Sequence, residues 1–162
     1  MPAAAALLPD TVLGMPLNLQ AAGLTYPPTA PYVVSAAKIE EFADAVGAAD
    51  AVHRDGAVAR ERGYRDVVAP PTFAVLIAQR CDAQFVADPA MGVDFSRVVH
   101  GQQTFEHHRP LMAGDVVVGV LHVDSLKVVA GNAMVTTRSE LFVGDELVTT
   151  ATSMLVVRGE GA

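Results

Sequence analysis

Two side chains that follow residue 47 could carry out acid–base chemistry together. Asp50 and His53 are three positions apart, so the carboxylate could orient the imidazole or act beside it. Histidine titrates near neutral pH and can therefore serve as a base inside a cell. A positioned group of this kind accelerates a reaction by about 10² to 10⁴. We select His53 and Asp50 as candidate catalytic residues; an exposed loop histidine and a helix-capping aspartate are the ordinary alternatives.

Three further histidines fall in one predicted strand, at positions 100, 107 and 108. Side chains alternate between the two faces of a strand, so His100 and His108 are expected on one face and His107 on the other. Three ligands cannot converge on one ion from that arrangement. The single cysteine, Cys81, also excludes a cysteine cluster. We predict no metal site and no other cofactor.

Composition limits the partners and the compartment. The formal net charge of −7 opposes binding to nucleic acid, which depends on basic residues that neutralise phosphates. One cysteine allows no internal disulfide, and no apolar run reaches the roughly 18 residues that a membrane helix needs. We expect a cytoplasmic protein that binds neither nucleic acid nor a membrane. With 51% apolar and 18% charged residues, the chain should bury much of its length or form an apolar interface.

The two candidate catalytic residues lie in a connection between two predicted helices. Ser35 can cap a helix over residues 36–46, and Gly47 can end it. A polar connection over residues 48–71 follows, in which GAVARER can form a short helix. Thr72 stands where an N-cap belongs, and the residues after it, FAVLIAQRCDAQFVA, are apolar on nearly every side. A helix with that pattern is buried.

The remaining elements predict an α+β domain. Residues 1–30 are rich in proline and are expected to form an extended arm, while the domain proper is placed at residues 31–158. After a short strand near residues 31–34, four runs of β-branched residues follow from residue 97 and are separated by glycine-containing turns. Successive strands should pair as an antiparallel meander. We predict a five-stranded antiparallel sheet around the buried helix, with dimerisation through an unpaired sheet edge.

Two stretches, GAADAVHRDGAVARERGYRDVVAPPTF and VVHGQQTFEHHRPLMAGD, resemble MaoC-like dehydratases and R-specific enoyl hydratases. The likeness covers roughly residues 30–158 and implies the hot-dog fold. Within that family the chain is most similar to single-domain (3R)-hydroxyacyl-ACP dehydratase subunits. In those proteins, a substrate-holding protomer can pair with a separate catalytic protomer. The resemblance therefore implies an acyl thioester of coenzyme A or of an acyl carrier protein as substrate.

The resemblance also assigns roles in the connection that follows the first helix. Active members carry the pattern G-D-x-N-P-hydrophobic-H, which supplies a catalytic aspartate and a catalytic histidine. Gly47 matches the glycine and His53 the histidine. Asp50 falls where asparagine is usual, and Ala48 falls where the catalytic aspartate belongs. One essential carboxylate is therefore expected to be missing.

A second departure lies at the head of the buried helix. Active relatives place His-Gly there and use the glycine N–H to hold the thioester oxygen, whereas Pro70 and Pro71 occupy the matching positions here. Proline has no N–H, so Pro71 cannot supply that donor. Thr72 is the nearest remaining backbone donor, and we select it as a candidate substrate-binding residue.

Two more residues are candidates for substrate binding. Arg60 begins a basic segment that would suit phosphopantetheine or the acidic surface of a carrier protein, and a solvated surface is the alternative. Phe73 could line an acyl channel together with Phe85 and Met91, although residues of these types are most often part of the core.

These expectations leave several functions open. The favoured one is a dehydratase subunit of fatty-acid metabolism that holds the acyl chain and pairs with a catalytic hot-dog partner. A self-sufficient hydratase homodimer that uses His53 and Asp50 is the second, and a noncatalytic acyl-thioester binding module is the third. A hot-dog thioesterase is a minor alternative, since such enzymes carry a carboxylate on the buried helix, where Asp82 is the candidate.

Overall fold

The first helix begins and ends where its capping residues predict. In the computed structural model, which describes residues 17–159, α1 spans Ala36–Val46. The Ser35 hydroxyl accepts a hydrogen bond from the Lys38 N–H at 3.1 Å, and Gly47 adopts a left-handed φ of 70°. The connection then forms a 3₁₀ turn, Ala51–His53, and a second helix, α2, at Gly56–Glu61.

The central helix, α3, spans Val75–Ala87 and begins later than its sequence predicts. Thr72 is exposed and lies in a turn ahead of the helix, and the N-cap position is taken by Ala74 without a side-chain hydrogen bond. The predicted N-cap at Thr72 is therefore wrong. The turn is held by a hydrogen bond from the Phe73 N–H to the Pro70 carbonyl at 2.9 Å, which delays the helix.

Only one face of α3 is buried. The residues that face the sheet are Ile77, Ala78, Cys81, Asp82 and Phe85. On the opposite face, Gln79 and Arg80 are exposed, so the helix is not buried all round as its apolar sequence suggested. The sheet curls around the buried face of α3. Phe85 and Met91 belong to the core, as predicted.

The five-stranded antiparallel sheet of the hot-dog prediction is confirmed. Its strands are β1 Tyr32–Val33, β2 Val98–His107, β3 Val116–Val129, β4 Asn132–Val143 and β5 Glu146–Val157. They lie in the order β1-β3-β4-β5-β2. The meander prediction is wrong for β2, which pairs with β5 instead of β3. One edge of β3 is taken by β1 and the other by β4, so the chain between β2 and β3 must cross from one side of the sheet to the other.

A β-bulge changes which histidines share a face of β2. The register passes from His100 opposite Leu155 to Gln102 opposite Met154, so Gly101 is an extra residue. Because side chains of directly opposite residues lie on the same face of a sheet, His107 opposite Thr149 lies on the same face as His100. The predicted alternation was therefore wrong, since one bulge reverses the parity of every residue beyond it.

The segment ahead of β1 covers the rest of the β3 edge. N–H groups of Gly23, Tyr26 and Thr29 donate to carbonyls of β3 at distances of 2.8 to 2.9 Å. Leu17 and Ala21 of this segment are buried. The predicted arm at residues 1–30 falls partly outside the described residues, and its boundary with the domain at residue 31 stays a prediction.

Candidate active site

A cavity of about 580 Å³ opens beside the segment that carries both candidate catalytic residues. Four stretches of chain form its walls: the 3₁₀ turn with the residue before it, the residues after α2, the approach to α3, and the end of β2 with the residues after it. The lining residues are Asp50, Val52, His53, Arg62, Tyr64, Val68, Ala69, Pro70, Pro71, Ala74, His107, His108, Arg109, Pro110 and Leu111. The structure therefore brings His53 and Asp50 to one cavity, called the His53 cavity below.

The backbone of Val68 orients the His53 ring. Its carbonyl oxygen lies 2.6 Å from Nδ1 of His53, and its N–H donates to the carbonyl of Val52 at 3.0 Å. A carbonyl oxygen can only accept, so Nδ1 carries a proton in this contact. In the neutral ring the other nitrogen, Nε2, then has a free lone pair. His53 is thus prepared to accept a proton at Nε2.

Asp50 is occupied by other partners. Oδ1 accepts the Val52 N–H at 3.0 Å as a cap of the 3₁₀ turn, and both carboxylate oxygens lie 2.8 Å from Nη1 of Arg62. The hydrogen bond from Arg62 lowers the pKa of the Asp50 carboxyl, and the bond from the Val52 N–H lowers it further. Asp50 therefore stays ionised and is poorly suited to donate a proton. The ring of His53 is oriented by Val68, and not by Asp50.

The two positions where the sequence departs from active relatives have other structural partners. The Ala48 N–H closes α1 by donating to the carbonyl of Ala43 at 2.8 Å, and the Ala48 carbonyl accepts from Arg54 at 2.7 Å. Pro71 contributes its carbonyl, which lies 2.8 Å from Nε2 of His107. Neither a carboxylate at Ala48 nor an N–H at Pro71 is available for chemistry.

The three candidate substrate-binding residues do not line the His53 cavity. Phe73 is fully buried in the core, where its ring meets the edge of Phe42 at a centroid distance of 5.3 Å. Thr72 and Arg60 are exposed. Arg62, two residues after Arg60, faces the cavity instead. The sequence of the basic segment did not indicate which of its arginines lines the cavity, and substrate binding by this segment stays a prediction.

His107, which the sequence brought up only as a possible metal ligand, lines the His53 cavity. Its Nε2 donates to the Pro71 carbonyl, and its Nδ1 lies 3.0 Å from the Thr149 hydroxyl. The ring also stacks on Phe105, with centroids 5.8 Å apart. Both ring nitrogens thus have protein partners, and the contact holds the approach to α3 against β2. The β-bulge at Gly101 sets this orientation, and the residue pattern of β2 did not indicate that a bulge would form there.

Arg109 brings a positive charge to the cavity wall, and this charge is balanced. Its guanidinium lies 2.8 Å from Asp115 and 3.0 Å from Glu146. The hydrogen bond to Asp115 raises the pKa of Arg109. Asp115 is buried and also accepts from Arg65 at 2.8 Å and from the Met112 N–H at 2.9 Å. This network fixes the crossing segment between β2 and β3 at the edge of the cavity.

Residues 17–159 lack two kinds of feature. Within that range, no three His, Cys, Asp or Glu side chains are grouped so that they could hold a metal ion. The helices of the same range include none long and apolar enough to span a membrane.

Comparison with known proteins identifies the family. A family model described as FAS1-like, dehydratase domain region matches residues 20–151. This chain belongs to that family. One of its relatives, a UPF0336 protein of Saccharopolyspora erythraea, is 51% identical over 146 residues. These residues cover 90% of this chain and 94% of the relative. A UPF0336 protein of Thermobifida fusca is 46% identical, and the match covers 90% of this chain and 97% of that relative.

Solved structures confirm the resemblance to MaoC-like dehydratases. The C-terminally truncated HadBC complex of Mycobacterium tuberculosis, a (3R)-hydroxyacyl-ACP dehydratase, has a TM-score of 0.75 and 28% identity over 85% of this chain and 97% of that chain. A MaoC-like dehydratase has a TM-score of 0.79 and 30% identity, covering 87% of this chain and 43% of that one. The (R)-hydratase from A. caviae, at 18% identity and a TM-score of 0.64, shares the fold.

Proposed function

We propose that this protein is the substrate-holding subunit of a (3R)-hydroxyacyl-thioester dehydratase and that it pairs with a catalytic hot-dog subunit. The observation that carries this proposal is the composition of the His53 cavity. A base is present at His53, but the one acidic residue among the described lining residues, Asp50, is held as a carboxylate by Arg62. The amide that active relatives place at the head of the central helix is replaced by Pro71.

The reaction explains why these losses matter. Dehydration of a 3-hydroxyacyl thioester needs a base for the α proton, an acid for the departing hydroxyl and donors for the enolate-like oxygen that forms between. An acid is worth about 10² to 10⁴ in rate, and one donor to the oxyanion is worth about 10² to 10³. A site that retains the base alone should therefore be nearly silent.

The comparisons support a partner subunit. The HadBC structure is a complex, and its match to this protein covers 97% of the aligned HadBC chain. An acyl-carrier-protein or coenzyme A thioester is the substrate class we assign, with a place in fatty-acid metabolism in the cytoplasm. Arg62 at the cavity is paired with Asp50 and Arg65 with Asp115, so we assign to the exposed Arg60 the attraction of the phosphates of either carrier.

A self-sufficient hydratase is the second candidate, and one observation favours it. The Nε2 lone pair of His53 is free to act as a base in the orientation that Val68 imposes. A purely structural loop histidine would not need such an orientation beside a cavity. The Asp50–Arg62 pair opposes this candidate, because it holds as a carboxylate the one acidic residue among the described lining residues of the cavity.

Co-purification tests the proposed function. The protein would be captured at native expression level from its source, and the mass of the intact assembly would be measured. We expect a stoichiometric hot-dog partner whose sequence retains the Asp and His of the G-D-x-N-P-hydrophobic-H pattern. A homodimer that hydrates an enoyl thioester rapidly by itself would overturn the proposal in favour of the second candidate.

A further inference from the structure

A second cavity, called the Asp82 cavity here, lies on the far side of α3. Its volume is about 620 Å³, and it opens between the C-terminal half of α3 and the start of β2. None of the described residues lines both this cavity and the His53 cavity. Its walls include Ala83, Val86, Val98 and Leu155. A mainly apolar space of this size lies within the range that small-molecule sites occupy, about 300 to 1,000 Å³.

The polar side chains that line this cavity are Gln79, His100 and one buried carboxyl group. Asp82 lies on the buried face of α3, is 5% exposed and lines the cavity. Its Oδ1 accepts from the Thr137 hydroxyl at 2.6 Å. Its Oδ2 is buried and has no hydrogen-bond partner in the described part of the chain. Buried polar atoms in folded proteins nearly always have a partner, so an unpartnered one needs an explanation.

The protonation state of Asp82 follows from its surroundings. Burial raises the pKa of the carboxyl, and this effect outweighs the opposing influence of the Thr137 and Ser153 hydroxyl groups and the attraction of His100. Ionising a carboxyl in an apolar environment without a close cation is costly. A neutral carboxylic acid has one O–H to donate in addition to its acceptor capacity. Asp82 can therefore donate a hydrogen bond to an oxygen that accepts, or accept one from a hydroxyl group that donates.

A second copy of the chain is the competing occupant, because Phe95 at this cavity is 75% exposed. A protein surface pressed against a flat apolar patch would not require a polar group at depth. The unsatisfied carboxyl atom within an apolar concavity instead favours a small ligand that is mostly hydrocarbon and carries one oxygen.

We propose that the Asp82 cavity binds an aliphatic chain bearing a hydroxyl or keto oxygen, and that Asp82 recognises this oxygen. The chain packs along Ala83, Val86 and Leu155, and the oxygen completes the hydrogen bonding of the carboxyl group. This site is independent of the proposed dehydratase activity, since it uses none of the residues of the His53 cavity.

Binding of matched fatty acids tests the proposal without any thioester. Dodecanoate and a set of its hydroxy isomers would be titrated into the full chain by calorimetry. We expect the wild type to bind at least one hydroxy isomer about fivefold more tightly than dodecanoate, which is the effect of one net hydrogen bond. Asp82→Leu should keep dodecanoate binding and lose the preference, whereas Asp82→Asn, whose amide also forms hydrogen bonds, should retain it.

Two controls locate the ligand. Ala83→Phe fills the cavity from an exposed helix position and should abolish binding, and His53→Ala should leave binding unchanged. The carboxyl carbon signal of Asp82 in the wild type gives a readout that needs no variant, because it should shift with the preferred hydroxy isomer and not with dodecanoate. No preference among the probes, binding that survives Ala83→Phe, or a preference that survives Asp82→Leu would overturn the proposal. The proposal would also be overturned if a mass measurement showed that Ala83→Phe disrupts a dimer while none of the probes binds.

Discussion

His53 and Asp50 show how neighbouring residues of one turn can have unrelated environments. His53 is oriented by a backbone carbonyl at Nδ1 and lines a cavity. Asp50 is a cap for the same turn and an ion-pair partner of Arg62. The spacing of the two residues suggested cooperation, but spacing alone could not reveal that an arginine 12 residues further along the chain takes both carboxylate oxygens.

Removing that arginine should release the carboxyl group. We expect Arg62→Met to raise the pKa of Asp50 toward the ordinary aspartate value, because the hydrogen bond from Arg62 is the main cause of its depression. A titration followed by carbon NMR of the Asp50 carboxyl measures this change. Arg60→Met, in the same basic segment, is the matched control and should leave Asp50 unaffected. An unchanged Asp50 titration in Arg62→Met would mean that the ion pair does not form in solution.

Restoring the missing carboxylate should have little effect by itself. Ala48→Asp adds an acid where active relatives have one, but the absent N–H at Pro71 still leaves the developing oxyanion short of roughly 3 kcal/mol of stabilisation. We expect the double variant Ala48→Asp/Pro71→Gly to gain more hydration rate than the product of the two single gains, as groups that act together do. Steady-state hydration of a short enoyl-CoA measures all four proteins. A large gain from Ala48→Asp alone would contradict the assignment of Pro71.

Asp82 should make stability depend on pH. Its folded-state pKa is raised by burial, so the folded protein binds this proton more tightly than the unfolded chain. The stabilisation is complete below the unfolded pKa of about 3.9 and is lost as pH rises through the folded value. The unfolding free energy of wild type relative to Asp82→Asn should therefore fall as pH increases above about 4. Urea unfolding over a pH series tests this, and a difference that is independent of pH would contradict a neutral Asp82.

The boundaries of α1 and of the last three strands were predictable because each has a local cause, unlike the start of α3. Ser35 and Gly47 cap α1 as their types predict, and glycine turns separate the last three strands. Two features had no such cause. The pairing of β2 with β5 depends on which sheet edges are already occupied, and the bulge at Gly101 depends on the fit between two distant strands.

The contact between α3 and β3 depends on a glycine. A methyl group at Gly119 would overlap Sγ of Cys81 and press on the side chain of Leu141. We expect Gly119→Ala to lower the unfolding free energy by about 1 to 3 kcal/mol, the usual cost of overpacking a core. Burial raises the pKa of the Cys81 thiol to about 11, so the residue acts by its size and not as a thiolate.

A double-mutant cycle isolates this contact. Cys81→Ala removes the overlapping sulfur, so the cost of Gly119→Ala should be clearly smaller in that background. Denaturant unfolding of the four proteins gives the coupling energy. An added methyl group at Gly131 would meet no atom within 4 Å, but the positive φ of Gly131 makes Gly131→Ala unsuitable as a control. Ala83→Ser, on the exposed face of α3, is a neutral control. Additive costs in the cycle would show that the overlap is relieved elsewhere.

As a whole, the protein combines a family fold with a cavity that lacks two of the groups that the proposed dehydration would require. The fold and the position of His53 beside a cavity agree with what the sequence pattern predicted. The predicted substrate-binding residues lie outside the lining of this cavity, since Phe73 is in the core and Arg60 is exposed, whereas Arg62 lines it. The outer edge of β2 is unpaired within the described chain, which leaves a route for the second subunit that the proposed function needs.

The most direct test is the activity of the reconstituted pair with one histidine changed at a time. The protein would be combined with its co-purified hot-dog partner, and kcat/KM would be measured on a long-chain (3R)-hydroxyacyl or enoyl thioester. We expect the pair to be active, to keep that activity with His53→Ala in this chain, and to lose it when the catalytic histidine of the partner is changed. Rapid turnover by the isolated wild-type protein, lost on His53→Ala, would contradict the account.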